Sequence, residues 1–217
     1  MTRITTALFD FDGVIADTEG QYARYFDELA RVYPPSVADL SASVRGVTLP
    51  EILDRFFHDY PARVKQEIAD GIRRLELQMD YYFIPDAGEF LRYLKERRYR
   101  VALVTSSREA KMRVALDKLG LQEVFDAVVT ADKVTRGKPD PECYLLAAAT
   151  LGAAPGECVV FEDSIAGVTA GKRAGMTVIG LATTLPAAEL RPRVDHLIAD
   201  FSDPGAIMEL ITNDESM

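Results

Sequence analysis

Ala7-Leu8-Phe9-Asp10-Phe11-Asp12-Gly13-Val14 decides how the chain is read. An apolar run with strand propensity ends in carboxylates at positions i and i+2, and a glycine then lets the backbone turn sharply. Side chains two apart on a strand share a face, so Asp10 and Asp12 can reach one pocket. The same residues also make an Asx turn in which Asp12-Gly13 simply closes a loop. Taken alone, the stretch leaves both readings open.

At 217 residues the chain can bury a full core, and 48% hydrophobic with 27% charged residues is the composition of a soluble globular protein. The formal net charge of -9 argues against a nucleic-acid partner, which would need clustered Lys and Arg. An acidic protein that handles phosphates must concentrate positive charge locally, and a metal ion is one way to do so. Cys143 and Cys158 have neither metal-ligand nor redox spacing, so free buried thiols in a reducing compartment are expected. The first residues lack the apolar core of a signal peptide, and no apolar run approaches membrane-spanning length. The expectation is a cytoplasmic protein with no membrane partner.

Beyond Gly13, residues Asp17-Thr18-Glu19 offer a helix start, and the pattern stays helical to about Tyr82 with breaks at Pro34-Pro35, Gly46, Pro50 and Pro61. Ile68, Ile72, Leu75 and Met79 lie in helical register. Such a block between one strand and the next βα unit reads as an inserted helical cap. From Pro85 the texture alternates: helices over 86–98, 108–119, 141–151 and 165–174, and strands over 100–104, 127–130, 158–161, 177–181 and, weakly, 196–199, before a terminal helix. Gly120, Gly152 and Gly175 follow three of these helices as C-terminal caps. Val101-Ala102-Leu103-Val104 is apolar on both faces, as in a parallel sheet covered by helices on both sides. The fold class is α/β, a doubly wound parallel sheet.

In such sheets ligands bind at the carboxyl ends of the strands. Those ends carry Asp10 and Asp12, Thr105-Ser106-Ser107, Lys138-Pro139-Asp140-Pro141 and Glu162-Asp163-Ser164. Singly, each has a plainer reading: Lys138 as a loop lysine, Ser106 and Ser107 as helix caps, Glu162-Asp163-Ser164 as a helix start. Jointly they imply one pocket. Carboxylates converging there would repel each other unless a cation intervened, and hard oxygen donors suit Mg2+. A carboxylate can attack phosphorus to form an aspartyl-phosphate, with a second carboxyl protonating the leaving oxygen and then activating water. Asp10 is the expected nucleophile and Asp12 the acid/base. Thr105 and the amides of Ser106 and Ser107 would bind the transferring oxygens, with Lys138 as a fixed positive charge.

Asp10-Phe11-Asp12-Gly13-Val14, Val104-Thr105-Ser106-Ser107, Gly137-Lys138-Pro139-Asp140-Pro141 and Phe161-Glu162-Asp163-Ser164-Ile165-Ala166-Gly167 resemble the four motifs of the haloacid dehalogenase superfamily, in order and over nearly the whole chain. The position of the insertion resembles the subgroup of beta-phosphoglucomutase and sugar-phosphate phosphatases. The resemblance implies a Rossmann-like catalytic core over 1–16 and 85–217 and a helical cap over 17–84. It implies Mg2+ held by the Asp10 side chain, the Asp12 backbone carbonyl and Asp163, with Glu162 in direct or outer support, and phosphate contacts from Thr105 and Lys138. Dehalogenases of the superfamily lack the second aspartate, so Asp12 points to phosphoryl chemistry.

Two departures weigh against a mutase. Tyr22 stands where mutases resemble one another in a histidine that assists cap closure, and a tyrosine cannot become cationic. Glu109 stands where mutases tend to carry a phosphate-binding asparagine, and a carboxylate there would repel a second phosphate. Against these, Arg45-Gly46-Val47-Thr48 resembles the mutase loop whose arginine grips a distal phosphate; Arg45 could equally bind a hydrolase substrate or be solvated. The resulting expectation is a phosphatase acting on a small phosphorylated metabolite, as a monomer or weak homo-oligomer. A sugar phosphomutase ranks second, and a non-catalytic binder of a phosphorylated ligand or protein third.

Overall fold

Phe9 ends the strand on which the sheet is centred. In the computed structural model, which describes residues 3–212, β1 (Thr6–Phe9) is flanked by β2 (Arg100–Val104) and β4 (Cys158–Glu162). With β3 (Ala127–Val129), β5 (Thr177–Leu181) and β6 (His196–Ile198) the order is β3-β2-β1-β4-β5-β6, every pairing parallel. Strand order therefore reverses at β1 and β4, where doubly wound sheets open a crevice at their carboxyl ends.

Alternation along β1 shows why helices are needed on both sides. Ala7 and Phe9 enter a cluster with Phe90 and Leu94 of α5 (Ala87–Glu96), Met112 and Ala115 of α6 (Glu109–Leu119) and Ile207 of α10 (Pro204–Thr212). Leu8 points the other way, into a cluster with Tyr144 and Ala147 of α7 (Glu142–Thr150) and Val168 and Ala170 of α8 (Ile165–Arg173). Each fully buried Leu or Phe contributes about 1.5–3 kcal/mol. Phe9 also stacks on Phe161 with ring centroids 4.5 Å apart, joining β1 and β4 just below the crevice.

The span 17–84 contains α1 (Glu19–Val32), α2 (Leu40–Ser43), α3 (Leu49–Phe56) and α4 (Ala62–Gln78), around an apolar cluster of its own that includes Phe26, Ile52, Phe56, Ile68 and Ile72. Further along α4 the stripe leaves that cluster, because Leu75 and Met79 pack on the main core. The chain crosses between the two regions twice, side by side. Ala16 and Phe83 form an antiparallel bridge, Asp17 N donates to Tyr82 O (2.9 Å) and Ile84 N to Ile15 O (3.0 Å).

Most expected elements are present with ends shifted by a residue or two, the usual fraying of boundaries. The strand expected over 158–161 runs on to Glu162. The helix expected to continue toward Tyr82 stops at Gln78. The four-residue helix α9 (Ala187–Leu190) and short 3-10 turns such as Ala131–Lys133 were not expected, being too short to show a period.

Gly13 sits at φ +77°, and a Cβ there would lie 2.0 Å from Asp163 Oδ2. The turn that follows β1 is thus pressed against the loop that follows β4, and only glycine permits both the conformation and the approach. Gly120 has a similar φ of +68°, but a Cβ there would meet nothing within 4 Å. Gly120→Ala is expected to lose only the positive-φ penalty, about 1–2 kcal/mol. Gly13→Ala should lose clearly more in urea unfolding, and equal losses would show that the approach to Asp163 is unimportant.

Candidate active site

Register brings the strand ends level. Phe9 pairs with Phe161 and with Leu103, so Asp10 emerges beside Glu162 and Val104. Asp10 N donates to Phe161 O (3.1 Å), and Thr105 N to Val129 O (2.9 Å). One oxygen from each of Asp10, Glu162 and Asp163 lies within 4.8 Å of the others, and all three residues are buried.

Lys138 neutralises part of this cluster. Its ammonium donates to Glu162 Oε1 (2.6 Å) and the Val104 carbonyl (3.0 Å) and pairs with Asp10 Oδ1 (3.0 Å), with its side chain 1% exposed. Burial by itself would lower the Lys138 pKa, but Asp10 and Glu162 overcome it and the net direction is upward. For Asp10, burial outweighs Lys138 and pushes the carboxyl up to about 7. Asp163 is driven well above the usual carboxylate range by burial, then by Glu162 and Asp10. Carboxyls raised by burial and mutual repulsion, offering hard oxygens within one small space, are a donor set that fits Mg2+. Glu162 differs from the other two. It is held by Lys138, by the Tyr144 hydroxyl (2.7 Å), by the Ser164 hydroxyl (3.1 Å) and by the amides of Asp163 and Ser164. Ser164 also caps α8, accepting from Gly167 N (3.0 Å), so the motif does start a helix.

Asp12 is the best-tethered carboxylate on the crevice side. Its oxygens accept from Thr18 Oγ1 (2.6 Å), Ser107 Oγ (2.9 Å) and Lys111 Nζ (2.6 and 2.5 Å). Thr18 makes no cap hydrogen bond to α1, because its hydroxyl goes to Asp12 instead. Ser107 N donates to Thr105 Oγ1 (3.0 Å), and Ser106 Oγ donates to the Gly46 carbonyl of the inserted segment (2.9 Å). Neither serine caps α6; its first amide, that of Glu109, is taken by Asp132 (2.8 Å).

The crevice is lined by Asp10, Asp12, Thr105, Ser106, Ser107 and Asp163 on the sheet side, and Arg45 faces it from the inserted segment. Arg45 is engaged: its Nε pairs with Glu19 (3.2 Å) and its Nη1 donates to Thr184 O (3.4 Å). Glu109 is exposed and does not line the crevice, so the repulsion of a second phosphate expected from it has no structural basis; its neighbour Arg108 lines the crevice instead. Tyr22 donates to Glu76 Oε1 (3.1 Å), and burial, then Asp12 and Glu76, keep its phenol protonated. Cys143 and Cys158 are free and buried, as expected, and burial pushes both thiols up to about 11.

Sequence reasoning missed Lys111, Glu19, Glu76 and Tyr144. For Lys111 a signal was available. It lies in the first turn of α6, where a cation opposes the helix dipole, and four residues after Ser107, hence on the same face. A lysine in that place needs an anion. Glu76 is a surface-type residue in a polar helix, and nothing in its spacing shows that it faces a crevice.

A doubly wound sheet with a carboxylate cluster at its switch point and a helical insertion behind the first strand defines a class of group-transfer enzymes. Residues 7–181 match the family described as haloacid dehalogenase-like hydrolase, and the chain belongs to it. A phosphorylated carbohydrates phosphatase of Thermotoga maritima is 36% identical over 78% of this chain and 81% of its own length. Validoxylamine A 7'-phosphate phosphatase of Streptomyces hygroscopicus subsp. limoneus is 33% identical over 91% and 94%. Beta-phosphoglucomutase of Bacillus subtilis is 31% identical over 82% and 84%. The crystal structure of beta-phosphoglucomutase from Clostridium difficile has the same fold, with a TM-score of 0.84 and 24% identity over 99% of this chain and 100% of that one. The chain is an enzyme of the phosphatase and phosphomutase kind. Among the described residues no helix is long and apolar enough to cross a membrane.

The Lys111 side chain is fully buried and Asp12 is 19% exposed. Removing the cation from such a pair strands the anion, so Lys111→Met should cost about 3 kcal/mol in urea unfolding. Adding Asp12→Asn should recover part of that loss. A change within about 0.5 kcal/mol for Lys111→Met, the range of an ordinary surface substitution, would show that the pair contributes little.

Proposed function

We propose that the protein is a Mg2+-dependent phosphatase that hydrolyses a small phosphomonoester such as a sugar phosphate through an aspartyl-phosphate on Asp10, with residues 17–84 as its cap. The observation that carries this reading is the meeting of Asp10 with Lys138 at 3.0 Å and with Asp163 inside one buried cluster at the switch point. The relatives with phosphatase names support it.

Once Asp12 has taken up a proton from solvent, Asp10 attacks phosphorus, the bond to the ester oxygen breaks, and that proton passes from Asp12 to the departing oxygen. Asp12, now a carboxylate, takes a proton from water; that water attacks the phospho-aspartate and releases inorganic phosphate and free Asp10. Thr18, Ser107 and Lys111 hold Asp12 in place through both steps. Thr105 and Lys138 stand at the strand ends beside Asp10, where they stabilise the transferring oxygens. Glu162 fixes Lys138 and, through its contacts with Asp163 N and Ser164, the loop that presents Asp163. Asp10, Asp163 and the Asp12 carbonyl would hold Mg2+, with Glu162 behind them, and the ion supplies the positive charge that lets an anionic nucleophile meet an anionic phosphate.

Hydrolysis is favoured over mutase chemistry by the tethering of Asp12. Its partners Ser107 and Lys111 belong to the core, so the acid/base is placed whether or not a phosphorylated sugar has closed the cap. The 31% identity to a beta-phosphoglucomutase supports the mutase as the second reading. Phosphorus NMR with beta-glucose 1-phosphate and catalytic 1,6-bisphosphate separates them, since a mutase forms glucose 6-phosphate without matching free phosphate.

Asp10→Asn is expected to abolish Mg2+-dependent phosphate release from sugar phosphates and from p-nitrophenyl phosphate. Full activity in that variant, or with EDTA present, would overturn the mechanism. Metal binding should also depend on pH in a stated direction. In the metal-free protein Asp10 and Asp163 retain protons that the unfolded chain has lost, so their contribution to stability is full below the ordinary carboxylate range and is lost as pH rises, for Asp10 through about 7. A cation replaces those protons, so Mg2+ should raise Tm more near about pH 8 than near about pH 5. An equal or larger increment at the lower pH would count against this donor set.

A further inference from the structure

The half of the crevice formed by the inserted segment has a composition suited to some alcohols and not to others. Phe26, Leu49 and Ile72 give it an apolar wall, and Glu19, Tyr22 and Glu76 put polar atoms around that wall. The basic groups near it are already matched with carboxylates. Arg45 pairs with Glu19 at 3.2 Å, Lys111 with Asp12 at 2.5 Å, and Arg108 lies 3.6 Å from Asp132. Glu76 is different: its carboxylate accepts a hydrogen bond from the Tyr22 hydroxyl and makes no ion pair among the described residues.

We propose that this half of the pocket selects phosphomonoesters of uncharged polyhydroxylated alcohols and rejects those carrying a second anionic group, with Glu76 as the residue that discriminates. The inference rests on the phosphatase reading and specifies its substrate. Hydroxyl groups can donate to the Glu76 carboxylate while C–H faces lie on Phe26 and Ile72, the mixed polar and apolar contact by which polyols are held. A carboxylate or second phosphate in the same place would face Glu76, and it would find Arg45 and Lys111 only by taking them from Glu19 and Asp12. Like charges brought together out of water cost several-fold to many-fold in binding, and a group that must break an existing ion pair regains little.

Matched substrates test the idea: sorbitol 6-phosphate against 6-phosphogluconate, and fructose 6-phosphate against fructose 1,6-bisphosphate, with p-nitrophenyl phosphate as a reference lacking a polyol. The wild-type enzyme should show kcat/KM higher by about tenfold or more for the uncharged member of each pair, the factor that about 1.4 kcal/mol produces. Glu76→Gln should compress that ratio, and Glu76→Lys should reverse it, a change of order that general damage to the fold does not produce. Preference for the anionic members by the wild type, or a ratio unmoved in both variants, would overturn the proposal while p-nitrophenyl phosphate turnover left the phosphatase reading standing. A wild-type enzyme inactive on p-nitrophenyl phosphate and on all four sugar phosphates would instead remove the phosphatase reading and the inference with it.

Discussion

Lys138 is an ammonium almost out of contact with solvent, and the carboxyl ends of three strands are organised around it. It has three N–H groups, and its three neighbours are the Asp10 carboxylate after β1, the Val104 carbonyl ending β2 and the Glu162 carboxylate ending β4. Without that charge, burying such carboxylates together as anions would cost several kcal/mol each. The apolar core beneath serves the same constraint. Phe9 and Phe161 stack where β1 meets β4, so the backbone that presents the carboxylates is held by packing from below and by the lysine from above.

Asp12 illustrates a second way of holding a charge. Asp10 and Asp163 bring oxygens into one small space that would suit a cation, whereas Asp12 is saturated by donors: a hydroxyl from each side and an ammonium spanning both oxygens. Two aspartates that look alike in sequence thus occupy different electrostatic surroundings. The first is raised by burial among like charges, and the second is paired with a lysine. In the metal-free protein burial therefore favours a proton on Asp10, and a cation held there would free it.

The core of the fold was legible because its signals are local and redundant. β2 and β5 were located to the residue by continuous apolar runs, and Gly120, Gly152 and Gly175 marked helix ends at φ between +64° and +74°. The convergence of Asp10, Asp12, Thr105, Lys138, Glu162 and Asp163 followed from topology, since a parallel sheet sends every strand's carboxyl end to one edge. The inserted segment was less legible. Its helices show their apolar stripes, but which polar residues turn toward the crevice depends on how α1 and α4 pack, and periodicity carries no information on that. Glu76 and Tyr22 meet across 54 positions of sequence. Arg45 was visible as a basic residue in a loop, yet its engagement with Glu19 and Thr184 depends on contacts 26 and 139 residues away.

The paired crossings between the core and the inserted segment, at Ala16–Phe83 and at the amides of Asp17 and Ile84, have a mechanical meaning. Two strands hydrogen-bonded side by side act as one pivot, and points near a pivot move least when the body beyond it rotates. Thr18 lies two residues past the bridge, so its grip on Asp12 would be nearly stationary through such a rotation, whereas the Ser106–Gly46 and Arg45–Thr184 contacts would have to part. On the proposed mechanism, opening for substrate and holding Asp12 in register would fall at different radii of one door.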